Sequence, residues 1–259
     1  MKRLPSLLAA FLLVLALPAL ARAQEKAPVV AAAADLQFAL TEAADLFTQQ
    51  TGKTVRLSFG SSGNFHRQIA EGGPYELYLS ADETYVFDLA KAGLTLDEGK
   101  LYAVGRIVLI VPPGSPLKPD GSLKDLAAQL KNGTVAKFAI ANPEHAPYGR
   151  AARSALKSAG LWSEIESKLI LGENVSQAAQ YATSGSAQGG IIAYSLALSP
   201  KVSALGRFDL IPADWHDPLR QRMALTKKAG ATAKAFYEFL QSPPARGIFK
   251  RYGFVLPTE

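Results

Sequence analysis

The chain has 259 residues, of which 48% are hydrophobic and 19% charged, a balance typical of a folded globular protein rather than a disordered or fibrous one. It contains no cysteine, which excludes a disulfide framework, a cysteine zinc site, a thiol nucleophile and a cysteine-anchored lipid. The formal net charge is +6, but part of it lies at the extreme N-terminus, and no stretch holds more than two adjacent lysines or arginines. The composition therefore gives no sign of nucleic-acid binding.

The first 23 residues follow the pattern of a secretory signal peptide. Lys2-Arg3 precedes an apolar run from Leu4 to Leu20, and the motif Ala21-Arg22-Ala23 resembles a signal-peptidase cleavage site. A membrane anchor is the alternative, but Pro18 and the cleavage motif stand where a membrane span would have to continue. We expect cleavage near Ala23-Gln24 and an exported mature protein.

Short apolar strands and amphipathic helices alternate along the mature chain. In the first half, a helix begins near Asp35 and ends before Gly52, a second follows Gly63, and a third is capped by Asp82. In the second half, Ser122 and Asp125 form a variant of the capping box, and Asn174 caps a later helix. The predicted strands are 28–34, 55–59, 75–79, 107–111, 138–141, 169–171, 190–193, 208–211 and 223–226. The remaining predicted helices are 150–159, 231–240 and 244–250.

This alternation predicts an α/β protein with largely parallel sheets. Such sheets bind ligands beyond the carboxyl ends of their strands, where the helices begin. Four strand-to-helix junctions are small or polar: Ala34-Asp35, Gly60-Ser61-Ser62-Gly63, Pro147-Tyr148-Gly149 and Glu173-Asn174-Val175. Helix N-termini that meet in one crevice would offer free amides and positive dipole ends, so we expect an anion site there.

Three other kinds of site fit the sequence poorly. The Gly60–Gly63 turn lacks the lysine of a phosphate loop, and no dinucleotide-binding glycine motif follows the first strand. A serine hydrolase using Ser61 or Ser62 would need a Gly-x-Ser-x-Gly elbow, which is missing, and a base within about 3 Å of the serine oxygen. No two histidines have the spacing of a metal site, so we expect no bound cation. Since none of these motifs is present, we also expect no cofactor and no catalytic residue.

Several segments resemble the molybdate-binding periplasmic proteins of ABC importers. They are Ala32-Ala33-Ala34-Asp35-Leu36, Phe59-Gly60-Ser61-Ser62-Gly63, Leu79-Ser80-Ala81-Asp82, the loop Asn142-Pro143-Glu144-His145-Ala146-Pro147-Tyr148-Gly149, Glu173-Asn174-Val175 and the closing Phe249–Phe254 segment. The resemblance extends from about Val29 to Phe254, and the Pro-Glu-His-x-Pro-x-Gly loop is its most specific part.

The resemblance implies a two-lobed, type II periplasmic binding protein fold with the ligand cleft between the lobes. Lobe one would comprise residues 27–107 and 213–259, lobe two residues 108–212, and the strands 108–111 and 207–210 would cross between them. The implied function is a monomeric, non-enzymatic periplasmic receptor that captures molybdate or tungstate for an inner-membrane ABC permease. A receptor for another, protonated oxyanion such as phosphate or arsenate is the alternative, and an exported serine hydrolase is the rival from another class.

Carried over by position, the resemblance places the ligand at Ser61 and Ser62, at the main-chain amides of Tyr148 and Val175, and at Asp35. Secondary candidates are Asn64, Arg150, Ala193 and Tyr194. Two positions depart from the family: Asp35 replaces a serine or asparagine, and Ala193 replaces a tyrosine, with Tyr194 one position later.

The departure at Asp35 matters because a carboxylate would repel the anion. Two unit charges about 4 Å apart at an effective dielectric constant of about 20 interact by roughly 4 kcal/mol, so a dianion would lose about 8 kcal/mol, as much as a micromolar site provides. Asp35 could turn away and cap its own helix, be neutralised by Arg67, Arg150 or His66, or accept a proton from the ligand. We favour the first two.

Overall fold

Two five-stranded sheets, each flanked by helices, carry the hydrophobic core of the described residues, which is divided into three clusters. The computed structural model describes residues 26–257, so the predicted signal peptide lies outside the described residues. The strands of this part are β1 (Val29–Ala33), β2 (Arg56–Gly60), β3 (Tyr75–Ser80), β4 (Lys100–Gly105), β5 (Ile107–Val111), β6 (Phe138–Ala141), β7 (Leu169–Gly172), β8 (Gly190–Ala193), β9 (Arg207–Leu210) and β10 (Leu219–Leu225).

The helices of the same part begin where the strands end. They are α1 (Gln37–Thr51), α2 (Ser62–Ala70), α3 (Glu83–Lys91), α4 (Lys124–Lys131), α5 (Pro147–Ser158), α6 (Trp162–Ile165), α7 (Val175–Thr183), α8 (Tyr194–Ala197), α9 (Pro200–Ser203), α10 (Ala231–Phe239) and α11 (Pro243–Arg251). Short 3-10 turns occupy Ala34–Leu36, Glu166–Lys168 and Ala213–Trp215. Over residues 26–257, none of the helices is both long and apolar enough to cross a bilayer.

Both sheets are mixed. The first has the order β2-β1-β3-β10-β4 and the second β7-β6-β8-β5-β9, and each contains two parallel and two antiparallel pairings. The sequence predicts largely parallel sheets, whereas β10 and β5 run against their neighbours. The reason is that each of these strands enters its sheet from the other one, whereas the parallel strands are joined by helices within their own sheet.

We call the first sheet with its helices the first lobe, and the second sheet with its helices the second lobe. The chain passes from the first to the second at Arg106, which alone separates β4 from β5, and returns over residues 211–218. The predicted crossing strands lie elsewhere: β5 and β9 both belong to the second sheet and pair with each other, Val108 opposite Leu210. The crossings are therefore shorter than the resemblance implies.

The local signals for most helix ends are confirmed. Gly52 ends α1 with a positive φ of 69°, and the side chains of Asp82 and Asn174 cap α3 and α7. The predicted capping box before α4 is wrong, because the carboxylate of Asp120 accepts the amide hydrogens there, including those of Ser122 and Asp125. Strand β4 and the short helices α6, α8 and α9 are not among the predicted elements.

Candidate oxyanion site

The four small or polar junctions meet at one cavity between the lobes. Two of them follow β1 and β2 of the first sheet, and the other two follow β6 and β7 of the second. The space among them measures about 190 Å³, part of it open to solvent. It is lined by Ala33, Ala34, Asp35, Gly60, Ser61, Ser62, Ala81, Ala146, Pro147, Tyr148, Asn174 and Val175. The ends of parallel strands thus bring together the N-termini of helices from both lobes.

All five principal candidates of the sequence line this cavity: Asp35, Ser61, Ser62, Tyr148 and Val175. None of the four secondary candidates does. Asn64 lies at the lobe boundary, where it donates to Glu173 and accepts from Arg67.

The other three secondary candidates are committed elsewhere. Arg150 forms an ion pair with Asp82 and donates to the hydroxyl of Tyr85. Ala193 is fully buried in β8, opposite Ile107. Tyr194 packs its ring against that of Phe208, with 6.0 Å between the ring centres. Their places in the structure give no support to a direct ligand role.

The two serines differ in what their hydroxyl groups do. Ser62 is fully buried, and its Oγ accepts a hydrogen bond from the amide of Ala81 at 2.9 Å. A serine hydroxyl can donate as well as accept, and Ser62 lines the cavity, so its hydrogen can be directed at an anion there. Ser61 caps α2, and its Oγ lies 2.9 Å from Nδ1 of His145.

The second lobe presents main-chain amides. Helix α5 begins at Pro147, which has no amide hydrogen, so Tyr148 is the first residue of that helix able to donate. In α7 the side chain of Asn174 accepts from the amides of Ser176 and Gln177, at 3.0 and 3.1 Å, and leaves the amide of Val175 uncapped. First-turn amides have no acceptor inside their own helix, and the helix dipole makes this end favourable for an anion.

The side chain of Asp35 points into a buried polar network rather than capping its helix. Its Oδ2 accepts from Nε2 of Gln221 at 2.6 Å and from the hydroxyl of Tyr148 at 2.9 Å. Gln221 also donates to the Tyr148 oxygen at 3.1 Å and accepts from the Tyr102 hydroxyl at 2.7 Å. The predicted helix-capping role is therefore wrong, although the side chain does turn toward donors.

None of the three cations considered for Asp35 reaches it. Arg67 donates to Asn64, Arg150 is paired with Asp82, and the ring of His66 packs beside that of Tyr85. Burial is therefore the dominant influence on this carboxyl group and raises the pKa of Asp35 to about 6. The hydrogen bonds from Gln221 and Tyr148 lower the pKa, but by less than burial raises it.

Direct contacts hold the two lobes together around the cavity. The amide of Gly63 donates to the carbonyl of His145 at 3.0 Å, and the Ser176 hydroxyl donates to the carbonyl of Ala34 at 2.9 Å. The Ser195 hydroxyl reaches the carbonyl of Asp35 at 2.8 Å. We call this arrangement, with the lobes in contact around the cavity, the closed form.

Several known proteins resemble this chain in sequence and in fold. The family described as bacterial extracellular solute-binding protein matches residues 28–255. The chain belongs to that family. It is 36% identical to the molybdate-binding protein ModA of Rhodobacter capsulatus, over 88% of this chain and 87% of that protein, and 38% identical to ModA of Azotobacter vinelandii, over 88% and 89%.

A solved structure extends the likeness to three dimensions. The periplasmic molybdate-binding protein of Azotobacter vinelandii superposes with a TM-score of 0.80 at 30% identity, over 89% of this chain and all of that one. The type II periplasmic binding protein fold is therefore confirmed for this solute-binding protein, and the relatives are receptors rather than enzymes.

Three residues beside the cavity escaped the sequence reasoning. Gln221 and Tyr102 lie outside the predicted strands, and His145 enters the sequence analysis only within the loop 142–149. Gln221 is fully buried in β10 between buried Leu219 and Met223. A polar amide at an inward position of an alternating strand is the signal that could have identified it, because buried polar groups need partners.

Proposed function

We propose that this solute-binding protein is the receptor of an ABC importer for a tetrahedral oxyanion, molybdate or tungstate, which binds in the cavity between the lobes. The names of its relatives, which share more than a third of the aligned residues with it, support molybdate. Receptor and permease would meet at the inner membrane after the protein has been exported to the periplasm and cleaved near Ala23-Gln24.

The observation that carries the proposal is the set of uncharged donors around the cavity. Among residues 26–257, the lining includes no lysine, arginine or histidine, whereas the Ser62 hydroxyl and the first amides of α5 and α7 face the cavity. Such donors can surround a small anion from both lobes without an ion pair. Selection against sulfate would then depend on the size of the closed cavity rather than on charge.

The two lobes would close on the anion from opposite sides, in a receptor that acts as a monomer. We propose residues 27–106 with 213–259 for lobe one and 107–212 for lobe two. The boundary expected after residue 107 moves by one position because Ile107 pairs with Ala193 of the second sheet. Each lobe supplies two of the four junctions, so an anion gains its full set of contacts only when the lobes are closed.

A serine hydrolase is the less favoured function, although one of its requirements is met. His145 lies 2.9 Å from the Ser61 oxygen, and its Nε2 lies 3.6 Å from a carboxylate oxygen of Glu173. However, Ser61 is 4% exposed and also serves as the cap of α2. Both properties suit a structural role for Ser61 better than that of a nucleophile, so we propose that the protein has no catalytic role.

Calorimetry of the mature protein with molybdate, tungstate, sulfate, phosphate and arsenate tests the proposal. We expect saturable binding of molybdate and tungstate with one site per chain, and far weaker binding of sulfate. Tight binding of phosphate or arsenate with no binding of molybdate would favour the alternative receptor. Hydrolysis of a nitrophenyl ester that disappears in Ser61→Ala would instead favour the enzyme.

A further inference from the structure

Asp35 places a carboxylate beside the proposed anion site, and no cationic side chain of residues 26–257 forms an ion pair with it. The residue is 1% exposed and lines the cavity. Its Oδ2 carries both hydrogen bonds of the network, from Gln221 and Tyr148, while Oδ1 is buried and has no partner within residues 26–257. A buried carboxylate oxygen without a donor is costly while it is ionised, whereas in the protonated group an O–H at this oxygen could donate to an anion in the cavity.

The titratable groups that face Asp35 are tyrosines. Tyr148 of α5 donates to the carboxylate, and Tyr102 of β4 reaches it through Gln221. Burial raises the pKa of both hydroxyls well above its ordinary value, and the charge of Asp35 raises it further. Both tyrosines therefore remain protonated donors at any pH at which the protein would work.

The other elements around Asp35 bring no cation to it. Helices α7 and α8 pack against its turn with Ser176 and Ser195, whose hydroxyls donate to main-chain carbonyls. On β10 the two arginines, Arg220 and Arg222, are paired with Glu83. Strand β2 and helix α1, which also pack against this turn, make no hydrogen bond or ion pair to the carboxylate among the described residues.

We propose that the oxyanion binds together with one proton, which resides on Asp35, and that this proton comes from solvent when the anion is a dianion such as molybdate. This inference rests on the proposed function. An O–H bond forms on the carboxylate, at the free Oδ1, and no bond is broken in the protein. The neutral carboxyl group no longer repels the anion, and its O–H at Oδ1 can donate to it.

The pKa of Asp35 is consistent with this coupling. Without anion it is about 6, so the group is mostly ionised at neutral pH. A dianion in the adjacent cavity raises the pKa further, because a nearby negative charge favours the uncharged form. An anion that already carries a proton, such as hydrogen phosphate, could share its own proton with Asp35, and the same complex would form without uptake from solvent.

Calorimetry in two buffers of different ionisation enthalpy measures the proton directly. At pH 7.5 we expect molybdate binding to take up close to one proton per anion, and its Kd to rise about tenfold per pH unit between pH 6.5 and 8. Hydrogen phosphate, as the second arm, should bind without net uptake if it brings the proton itself.

Two variants locate the proton. Asp35→Asn keeps an oxygen for Gln221 and Tyr148 but cannot titrate, so uptake should fall to zero and the Kd for molybdate should become independent of pH. His145→Gln removes the histidine that lies beside Ser61 of the cavity lining and should retain the uptake.

The contrary results distinguish a failure of this inference from a failure of the proposed function. Molybdate binding by the wild type without proton uptake, uptake that persists in Asp35→Asn, or uptake lost in His145→Gln would overturn the inference and leave the receptor function standing. A wild type that binds none of the five oxyanions would overturn the proposed function itself.

Discussion

The amide of Gly63 donates to the carbonyl of His145 at 3.0 Å, a main-chain bond between the first lobe and the second. A Cβ atom on Gly63 would stand 2.6 Å from that oxygen and 2.8 Å from the Tyr85 hydroxyl. The contact with the His145 carbonyl exists only while the lobes are closed. The Tyr85 hydroxyl belongs to the same lobe as Gly63 and, as the end of a side chain, can move aside, so a larger residue at position 63 should act mainly on closure.

Gly63→Ala should oppose closure without harming the fold. The added methyl group overlaps the His145 carbonyl only in the closed form, at a cost of about 1–3 kcal/mol, so anion affinity should fall roughly tenfold or more. Helix α2 itself should gain up to about 1 kcal/mol, because alanine is the better helix former. Calorimetry and thermal unfolding check the two effects separately.

Gly247→Ala is the matched control. Gly247 lies in α11, and a Cβ there meets nothing within 4 Å. It should stabilise the protein slightly and leave the Kd unchanged. Equal affinities of Gly63→Ala and wild type would mean that binding does not require this closed contact.

Ser62→Ala should weaken anion binding by about 1–3 kcal/mol, the usual range for a hydrogen bond to a charged partner. It should also lower the free energy of unfolding by about 1–3 kcal/mol, because the Ala81 amide loses its acceptor in a buried position. Titrations well below the melting temperature separate the two losses. Ser203→Ala, at an exposed serine of α9, is the control, and an unchanged Kd in Ser62→Ala would remove Ser62 from the site.

Anion binding should shift the protein toward the closed form seen here. The two junctions of each lobe contact one ligand simultaneously only in that form, so the ligand favours it. Small-angle X-ray scattering should give a smaller radius of gyration with saturating molybdate than without. Identical curves at demonstrated saturation would indicate a ligand held by one lobe, or a receptor that is closed without its ligand.

The ionisation of Asp35 should destabilise the anion-free protein as the pH rises. Its pKa is about 6 in the folded state against an ordinary 3.8, so folding favours the protonated form. The stabilisation is complete below about pH 4 and is lost as the pH rises through 6, a change of about 2–3 kcal/mol. Asp35→Asn should show no such loss.

Urea unfolding of both proteins from pH 4 to 8, without oxyanion, measures that difference. The gap in free energy of unfolding should widen in favour of Asp35→Asn up to about pH 7 and then stay constant. Parallel curves would mean that Asp35 titrates alike in the folded and unfolded states.

Local sequence signals predicted the elements that surround the site. Strands 138–141 and 190–193 match β6 and β8 to the residue, and Asn174 caps α7 as expected. These features succeed because capping and apolar runs depend on neighbours in sequence. The positions of the five principal cavity residues followed from the resemblance and from the rule that parallel strands end together.

The surroundings of Asp35 could not be predicted in the same way. Its partners Tyr148 and Gln221 are 113 and 186 residues away in sequence, and their pairing is created by the closure of the lobes and the return of β10. The same applies to His145 and Ser61, which are 84 residues apart. Local patterns carry no information on such contacts, so the sequence suggested cations for Asp35 where the fold supplies neutral donors.

The position of β10 has a consequence for the assembly of the polypeptide after synthesis. This strand is hydrogen-bonded to both β3 and β4, yet it follows every strand of the second lobe in the chain. The second sheet is complete once residue 210 is available, whereas β4 has no partner strand in the first sheet until Leu219–Leu225 arrives. A chain truncated before Leu219 would expose the edges of β3 and β4 to pairing with other molecules. Only the second lobe would then be complete for contact with the anion.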